Sequence, residues 1–324
     1  MRVRDRFLAG ALAAALALSA TPAAATRERS TQLALQAKEA LDAHFGSREN
    51  LDRAAGLLRR ALDEDDSDAT VYVQAARLTI KGGHLVSSRF RPGTLEAYGE
   101  LLDRALALDP GNAKAHILKA EYFHLGKNYA AERAELDKAN ATGTRDSWLL
   151  IGYGRHYETM RAQDQAHAIY EEARARGPGA SLEQRNAFVA AVIKLASFAA
   201  RANDRSTVRS LAQLARNERH PRDAWTLGSA ANSLVRVGMF DDAIAITREA
   251  LRVMNYGVGR LTLVTALYGK AAQLTLIGKR QEAAPLIQEA RSFGYSRAAI
   301  LDRFACCSGP VTASLMPTLD AIVQ

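Results

Sequence analysis

Apolar and small residues recur at helical spacing along most of the chain, and residues 147–178 show the pattern most clearly. One face of a first helix follows the i, i+3, i+4, i+7 spacing, with Leu150, Tyr153, Gly154 and Tyr157. After a turn near residues 161–164, the spacing continues with Ala166, Tyr170 and Ala173. Pro178 then ends the second helix, because proline has no N–H and a fixed φ. The pattern predicts two antiparallel helices that pack closely at Gly154 and Ala166, where a bulky side chain would not fit.

A residue that opens the second helix, usually a small one, recurs along the chain. Successive copies are 33 to 44 residues apart, at Ala54, Tyr98, Ala131, Ala166, Val208, Ala243 and Ala283. Repeats of this length predict stacked helix pairs, each of which buries its apolar face only against its neighbours. Tyr98 and Val208 are larger than the usual residue, so we expect those two junctions to be splayed. The third copy is one residue out of step between Ala120 and Ala131.

This arrangement resembles the tetratricopeptide repeat, although Leu150 stands in place of the family's usual tryptophan. The segment LALDPGNAKA, residues 106–115, contains an Asp-Pro-x-Asn junction that is also similar to the family. The resemblance implies an all-α, superhelical solenoid of about seven antiparallel helix pairs over residues 26–295. Residues 296–324 are expected to form C-terminal capping helices that cover the end of the stack.

In the resembled family, side chains on the first helices line an inner surface that holds partners. Carried over to this chain, the inward positions include Trp148, Ile151, Arg155, Glu158, Lys194, Trp225, Asn232 and Tyr268. Trp148 and Trp225 are the two tryptophans of the chain, and tryptophan often carries much of the binding energy of an interface. Two interpretations stay open for them: contact with a partner, or packing against the preceding helix pair as ordinary core.

Residues 82–93, GGHLVSSRFRPG, form an insertion between the two helices of the second pair. A segment of this length breaks the tight turn that the repeat pattern predicts, so we expect a surface loop. Loops of this kind can serve binding, and they are also tolerated without a role. Both interpretations stay open.

The first residues have the pattern of a secretory signal peptide. Arg2, Arg4 and Arg6 precede an apolar run over residues 7–18, and three alanines follow at 23–25. We expect a signal peptide over residues 1–25, with cleavage after Ala25; an uncleaved anchor is the alternative. No later segment is apolar over a length that spans a membrane. The leader and the Ala- and Arg-rich composition therefore predict a bacterial protein of the periplasm, or a secreted one.

Positive charge is concentrated in one short segment, residues 201–222. The formal net charge is +8, and residues 201–222 hold six arginines against Asp204 and Glu218. Arg205, Arg209 and Arg216 are four and seven residues apart, which places them on one helix face. Such a face could contact an anionic envelope surface, or it could simply be solvated.

The sequence offers little for catalysis or metal binding. None of its seven histidines has a metal-ligand spacing with a third ligand, and no nucleophile elbow or phosphate loop is present. Cys306 and Cys307 are adjacent, a geometry too short for a relaxed disulfide. They could be buried, bridge to a partner or form a strained redox-sensitive ring. We expect no enzyme activity, no cofactor and no metal.

These patterns predict a non-catalytic scaffold that binds another protein or peptide along the inner surface of a helical-repeat solenoid. Envelope assembly, polysaccharide export and secretion are the processes that the resemblance suggests. No nucleic-acid partner is expected. The alternatives are a thiol-dependent redox factor or enzyme that uses Cys306 and Cys307, and an immunity-type inhibitor of one toxin.

Overall fold

A computed structural model describes residues 22–86, 89–307 and 310–323 of the 324-residue chain. The described residues form two compact units, within Met1–Thr144 and Arg145–Gln324. Sixteen α-helices and one two-stranded sheet make up these described ranges. None of the helices in this part of the chain has the length and apolar character that a membrane-spanning segment needs.

The first unit contains three helix pairs. Its helices are α1 (Pro22–Asp42), α2 (Arg48–Glu64), α3 (Ala69–Gly83), α4 (Thr94–Leu108), α5 (Ala113–Leu125) and α6 (Tyr129–Ala141). Between α3 and α4, strands β1 (His84–Val86) and β2 (Arg89–Phe90) pair antiparallel. The insertion that the sequence predicts as a surface loop therefore contains two short paired strands between the helices of the second pair.

The second unit contains the remaining helices. They are α7 (Ser147–Thr159), α8 (Gln163–Ala175), α9 (Leu182–Arg201), α10 (Arg205–Glu218), α11 (Ala224–Arg236), α12 (Phe240–Val253), α13 (Gly257–Leu276), α14 (Arg280–Ser292), α15 (Arg297–Cys307) and α16 (Pro310–Ile322). Consecutive helices pack in pairs from α7 to α14, and α13 also contacts α15 and α16. The all-α array of antiparallel helix pairs that the sequence predicts is confirmed. The division at residues 25, 295 and 296 stays a prediction.

The turns within the later pairs share one backbone conformation. Each contains a residue in the left-handed region, filled by Lys127, Arg161 and Asn203 in three pairs and by Gly238 and Gly278 in the next two. A residue in this conformation ends a helix because it reverses the direction of the chain. The N–H groups that follow it then donate to the last carbonyl groups of the helix. The first helix of each pair therefore stops where the second can fold back against it.

Polar side chains at the helix starts stabilise the boundaries. Asn112, Asn128, Asp146 and Asp204 each accept a hydrogen bond from a backbone N–H in the first turn. Ser181 forms a full capping box with the third residue of α9. Because the first N–H groups of a helix have no partner within the helix, these caps fix where each one begins.

Most residues predicted to open the second helices are in the core. Ala54, Ala166 and Ala243 are fully buried, and so are the larger Tyr98 and Val208. Tyr98 also donates a hydrogen bond to the Leu118 carbonyl at 3.1 Å, so its ring fills the junction that we expected to be splayed.

The third pair needs a correction. Ala131 is half-buried, whereas the next residue, Glu132, is fully buried and occupies the position predicted for a small residue. The buried residue that opens the second helix is therefore Glu132, one residue later than predicted. The reason is that α6 begins at Tyr129, which turns Glu132 toward the neighbouring helix.

The second unit has the larger continuous core. It includes Leu227, Leu234 and Phe240 from α11 and α12, and Leu267 from α13. The last two helices join the same core through Ile300, Phe304, Leu315 and Leu319. Residues that are fully buried in this way contribute about 1.5–3 kcal/mol each for a large apolar side chain.

Candidate binding surfaces

The first candidate surface, which we call the Glu158 cluster, joins α7, α8 and α9. Glu158 accepts hydrogen bonds from the Tyr170 hydroxyl at 2.9 Å and from Lys194 Nζ at 2.6 Å. Arg201 lies 3.6 Å from the other carboxylate oxygen and stacks over the Phe198 ring at 4.2 Å. One carboxylate therefore faces two cations, and the cluster carries net positive charge.

Tyr170 holds the Glu158 carboxylate in place from the buried side of the cluster. Its side chain is fully buried, and burial, followed by the charge of Glu158, raises the pKa of the phenol well above its usual range. The hydroxyl therefore stays protonated and donates. The side chains of Lys194 and Arg201 are 40% and 39% exposed, so both can reach a partner. The structure thus brings together Glu158 and Lys194, with Arg155 half-buried about one turn earlier on α7.

The second candidate surface, the aromatic pair, consists of Trp225 at the start of α11 and Tyr256 at the start of α13. Their ring centroids are 4.9 Å apart, and Trp225 is 48% exposed. The Tyr256 hydroxyl donates to the Ala224 carbonyl at 3.1 Å. Burial, followed by the charge of Asp223, raises the pKa of Tyr256 to about 12. Trp225 is therefore a surface residue with a fixed neighbour, and the interpretation of it as ordinary core does not hold.

Two glycines make room for Tyr256. A Cβ placed on Gly228 would lie 2.2 Å from the Tyr256 hydroxyl oxygen, and one on Gly259 would lie 2.7 Å from its ring. Any side chain at either position would push the ring away. The ring of Tyr256 is therefore seated in a slot that keeps it against Trp225, and the pair loses little conformational freedom when a partner binds.

Asn232 is already engaged within the chain. Its Oδ1 accepts hydrogen bonds from Arg303 at 2.6 Å and from the Thr262 hydroxyl at 3.1 Å. The residue lies on the first helix of its pair, as the sequence predicts, but its carbonyl oxygen joins α11 to α13 and α15. It therefore stabilises the array, and its carbonyl oxygen would have to exchange these bonds before it could bind a partner.

Tyr268 does not belong to a partner-binding surface in this fold. Its side chain is 2% exposed and lies in the core of the second unit. Twelve of the twenty residues of α13 are buried, because this helix is covered by α11, α12, α14, α15 and α16. The position predicted to face inward is therefore covered by neighbouring helices, and the sequence assignment of Tyr268 is wrong.

Trp148 and Ile151, on α7, are both partly buried. Ile151 packs against the buried cluster that contains Leu150 and Tyr170. Trp148 lies in the first turn of α7, where its backbone N–H is capped by Asp146. Neither side chain is exposed like that of Trp225, so Ile151 acts mainly in packing and Trp148 keeps both interpretations.

The basic face of α10 is largely paired with acidic residues one repeat later. Arg209 lies 3.0 Å from Asp242, and Arg216 lies 2.7 Å from Glu249. Burial would raise the pKa of Glu249, but hydrogen bonds from Arg219 and Arg216 outweigh it and hold that pKa below its usual value. Of the three predicted arginines, Arg205 is the one without a carboxylate within ion-pair distance in the described part of the chain, and it is exposed. Much of the predicted charge is therefore neutralised by α12.

Two other sequence predictions fall partly outside the described residues. Residues 1–21 of the expected signal peptide lie outside them, and so do the side chains of Cys306 and Cys307. In the ranges that the structure does describe, no group of three His, Cys, Asp or Glu side chains is arranged to hold a metal ion.

Comparisons with known proteins concern the fold. No family model matches the chain, and no curated protein sequence matches it. Among solved structures, PilF of Pseudomonas aeruginosa is 18% identical with a TM-score of 0.48, over 73% of this chain and 96% of PilF. YrrB, described as a TPR protein with an unusual peptide-binding site, is 16% identical with a TM-score of 0.34, over 76% of this chain and 96% of YrrB.

A third solved structure, the human IFIT1 dimer with PPP-AAAA, is 15% identical to this chain. Its TM-score is 0.52, and the match covers 84% of this chain and 64% of that chain. At this identity the likeness shows a shared helical architecture and nothing about ligands.

The period of the helix pairs identifies the fold. The bounds of α7 and α8 follow those of α5 and α6 at a distance of 34 residues, since 147 follows 113 and 163 follows 129. A helix–turn–helix unit of 34 residues defines the tetratricopeptide repeat. The chain has the tetratricopeptide-repeat fold. Its third and fourth repeats are the two pairs that keep this period without insertion.

The third tetratricopeptide repeat contains a polar group that the sequence patterns did not identify. His116, Lys119, Glu132 and Glu135 are all buried. They occupy positions that the fourth repeat fills with Leu150, Tyr153, Ala166 and Ile169, each 34 residues later. An alignment of the two repeats by this period would have shown that polar residues replace apolar ones in the third repeat. The choice of Ala131 instead of Glu132 as the residue that opens the second helix concealed this difference.

Proposed function

We propose that this chain is a non-catalytic scaffold that binds another protein through the first helices of its tetratricopeptide repeats. The partner segment contacts the aromatic pair and the Glu158 cluster, both in the unit of residues 145–324. The exposed ring of Trp225 carries this proposal. An aromatic side chain that is 48% exposed and held against a second ring has the properties of an interface anchor.

The partner's chemistry follows from the charges at the Glu158 cluster. Two exposed cations, Lys194 and Arg201, share one carboxylate. A carboxylate from a partner would therefore complete the charge balance and accept hydrogen bonds from both. We propose that the bound segment combines an apolar side chain, which covers Trp225, with an acidic residue.

The proposed compartment is the bacterial periplasm, with secretion as the alternative. Three arginines, an apolar run and three alanines at the start of the sequence support export. Within that compartment, a protein-binding repeat array would serve envelope assembly, polysaccharide export or secretion. No arrangement of side chains in the described residues calls for catalysis, and the scaffold role requires none.

A capture experiment tests the binding proposal. The full chain with a C-terminal tag is expressed in a bacterium, and proteins retained from envelope extract are compared for wild type and Trp225→Ala. Leu276→Ala is the matched control, because Leu276 is 59% exposed but lies at the far end of α13. We expect Trp225→Ala to lose a partner that wild type and Leu276→Ala retain, with unchanged helix content. Equal retention by all three chains would contradict the proposal.

Fractionation of the same cells tests the compartment. We expect the tagged chain in the periplasmic fraction, with an N-terminus at Thr26 in the mass spectrum. An intact N-terminus on a chain recovered from the cytoplasm would contradict export.

A further inference from the structure

A cleft of about 400 Å³ lies between α8, α9 and α10, within residues 145–324. Its lining residues come from the second helices of two successive repeats, α8 and α10, and from α9, which packs against both. The aromatic pair and Glu158, Lys194 and Arg201 do not line it. Clefts of roughly 300–1,000 Å³ are the size at which proteins commonly hold a ligand or an anchoring side chain.

The floor of the cleft is apolar. Leu195 and Phe198 of α9 and Leu211 of α10 line it. His167 of α8 meets the Phe198 ring edge-on, with centroids 5.5 Å apart. A hydrocarbon chain laid on this floor would remove apolar surface from water, at about 25 cal/mol for each Å².

The rim of the cleft is acidic. Asp164, Glu171 and Asp204 line it, and no lysine or arginine is among its lining residues. Glu171 is paired with Arg174 at 2.6 Å. Hydrogen bonds from the Thr207 side chain and backbone, and then from Ser206, lower the pKa of Asp204 to about 2, so this carboxylate is ionised at neutral pH.

Asp164 and Asp204 are therefore the charges that the cleft presents. They belong to the first turn of α8 and to the N-cap of α10, so both lie at helix starts. An uncharged apolar ligand would cover these carboxylates without pairing them, which is unfavourable. An anionic ligand would be repelled. A cation on a long methylene stem satisfies both the floor and the rim.

We propose that this cleft binds a lysine or arginine side chain of a basic, amphipathic partner segment. The methylene groups lie on Leu211, beside Phe198, whose ring is already stacked with Arg201, and the cationic head faces Asp164 and Asp204. This second surface is separate from the first-helix surface of the proposed function, and it stands whether or not that surface binds a partner.

The test uses a fluorescent amphipathic peptide of alternating leucine and lysine as the probe, with the full chain after leader removal. Its dissociation constant is compared with that of a peptide in which glutamate replaces every lysine. We expect saturable binding of the lysine peptide only, weakened by added salt because the pairs lie near the surface.

Two variants locate the site. Asp164→Asn combined with Asp204→Asn removes both charges at nearly constant shape and keeps an N-cap residue at 204. We expect about a tenfold loss of affinity, the effect of roughly one charge-assisted hydrogen bond. The control Glu172→Gln with Glu282→Gln makes the same change in net charge at exposed carboxylates outside the cleft. It should leave the affinity within about twofold.

A variant that changes no charge tests the apolar floor of the cleft. Ala202 is exposed and lines the cleft, so Ala202→Leu fills part of the space without disturbing the core. We expect a loss of affinity for the lysine peptide with an unchanged melting temperature. The proposal is overturned by any of four results: no saturable binding to wild type, equal binding of the glutamate peptide, equal losses in the charge variant and its control, or no effect of Ala202→Leu.

Discussion

The third and fourth repeats have helices of equal length at the same 34-residue period, yet their interiors differ in kind. The fourth repeat buries Leu150, Ala166 and Tyr170, the large and small apolar residues typical of the fold. The third repeat buries His116 and Glu135 with other polar groups. The helix bounds are thus independent of whether the contact between the helices is apolar or ionic.

Hydrogen bonds explain how the third repeat tolerates its polar interior. His116 Nδ1 lies 2.6 Å from Glu135 Oε2, and its Nε2 lies 2.9 Å from the Pro110 carbonyl. Both neighbours can accept a hydrogen bond, so each ring nitrogen of His116 has an acceptor within hydrogen-bond distance. Lys138 donates to the second Glu135 oxygen at 2.7 Å. The buried Glu135 carboxylate therefore has partners for both of its oxygens, which is the condition under which burial of charge is tolerated.

A second polar contact holds the same repeat. His124 Nδ1 lies 3.0 Å from Glu132, the fully buried carboxylate at the position that alanine fills in the fourth repeat. Lys119 donates to Asp103 on α4 of the second repeat at 2.7 Å, and its Nζ lies 4.7 Å from the centre of the Tyr122 ring within the third repeat. Directional contacts of this kind need matched partners, whereas the contact of Gly154 and Ala166 with Tyr170 in the fourth repeat depends mainly on matched volume, apart from the hydrogen bond from Tyr170 to Glu158. The two repeats should therefore respond differently to the same type of substitution.

The largest effect is expected from breaking the buried contact between His116 and Glu135. His116→Leu leaves Glu135 buried with Lys138 alone, and we expect a loss of about 3 kcal/mol in the free energy of unfolding. The double change His116→Leu with Glu135→Ile copies Leu150 and Ile169 of the fourth repeat. It should return to within about 1 kcal/mol of wild type, because no buried charge is left unpaired and the side chain of Lys138 is exposed to water.

Urea unfolding followed by circular dichroism measures both variants. A double variant as unstable as the single one would show that the polar interior cannot be exchanged for the apolar one. The comparison between the repeats would then fail at this position.

An intermediate effect on the free energy of unfolding is expected when a methyl group is added at Gly154 in the fourth repeat. A Cβ on Gly154 would lie 2.4 Å from the Tyr170 ring, so Gly154→Ala should cost about 1–3 kcal/mol through overpacking. Adding Tyr170→Leu reproduces the Ala120 and Leu136 combination of the third repeat and should recover part of the loss. Thermal unfolding measures the series.

Gly56→Ala is the control for this series, because no atom lies within 4 Å of the added Cβ. It should be neutral or stabilise by up to about 1 kcal/mol, since alanine favours the helix. If Gly154→Ala behaves like Gly56→Ala, close packing at the fourth repeat is not limiting.

The smallest effect is a pH dependence confined to the third repeat. Burial would raise the pKa of Glu135, but hydrogen bonds from Lys138 and His116 outweigh it, and the folded-state pKa lies below the usual 4.5. The unfolded chain then binds the proton more readily, so Glu135 stabilises the fold above about pH 4.5 and loses this contribution as the pH falls through its folded pKa.

Free energies of unfolding at pH 7 and in the acid range test this expectation. The stability difference between wild type and Glu135→Gln should shrink as the pH falls below about 4.5. Ile169→Gln is the matched change in the fourth repeat, and its effect should not vary over that range. A constant difference for Glu135→Gln would contradict the depressed pKa.

The helix pairs and their period could be predicted from the sequence, and the site only in part. Ala166 and Tyr170 are buried as predicted, because 3.6-residue periodicity identifies the face of a helix that packs. Tyr268 fits the same positional rule and is nevertheless buried, because α15 and α16 add further cover to α13. Trp225 is exposed because it lies in the first turn of α11, beside the ring of Tyr256. Neither outcome is contained in the spacing.

The cleft illustrates the same limit. Asp164 and Asp204 are separated by forty residues and belong to different repeats. Each alone is an ordinary carboxylate at a helix start. They become a site only when α8 and α10 pack beside α9.

By itself, the sequence determined where this chain turns, which helices pair and which small residues lie at their contacts. These properties depend on neighbours a few residues apart, so periodicity and turn residues encode them locally. Only the tertiary structure decided that Glu132 is buried beside His124, that α12 neutralises arginines of α10, and that Trp225 remains exposed. Each of these depends on contacts between different helices, where distance and burial set the energy of a charge or a ring.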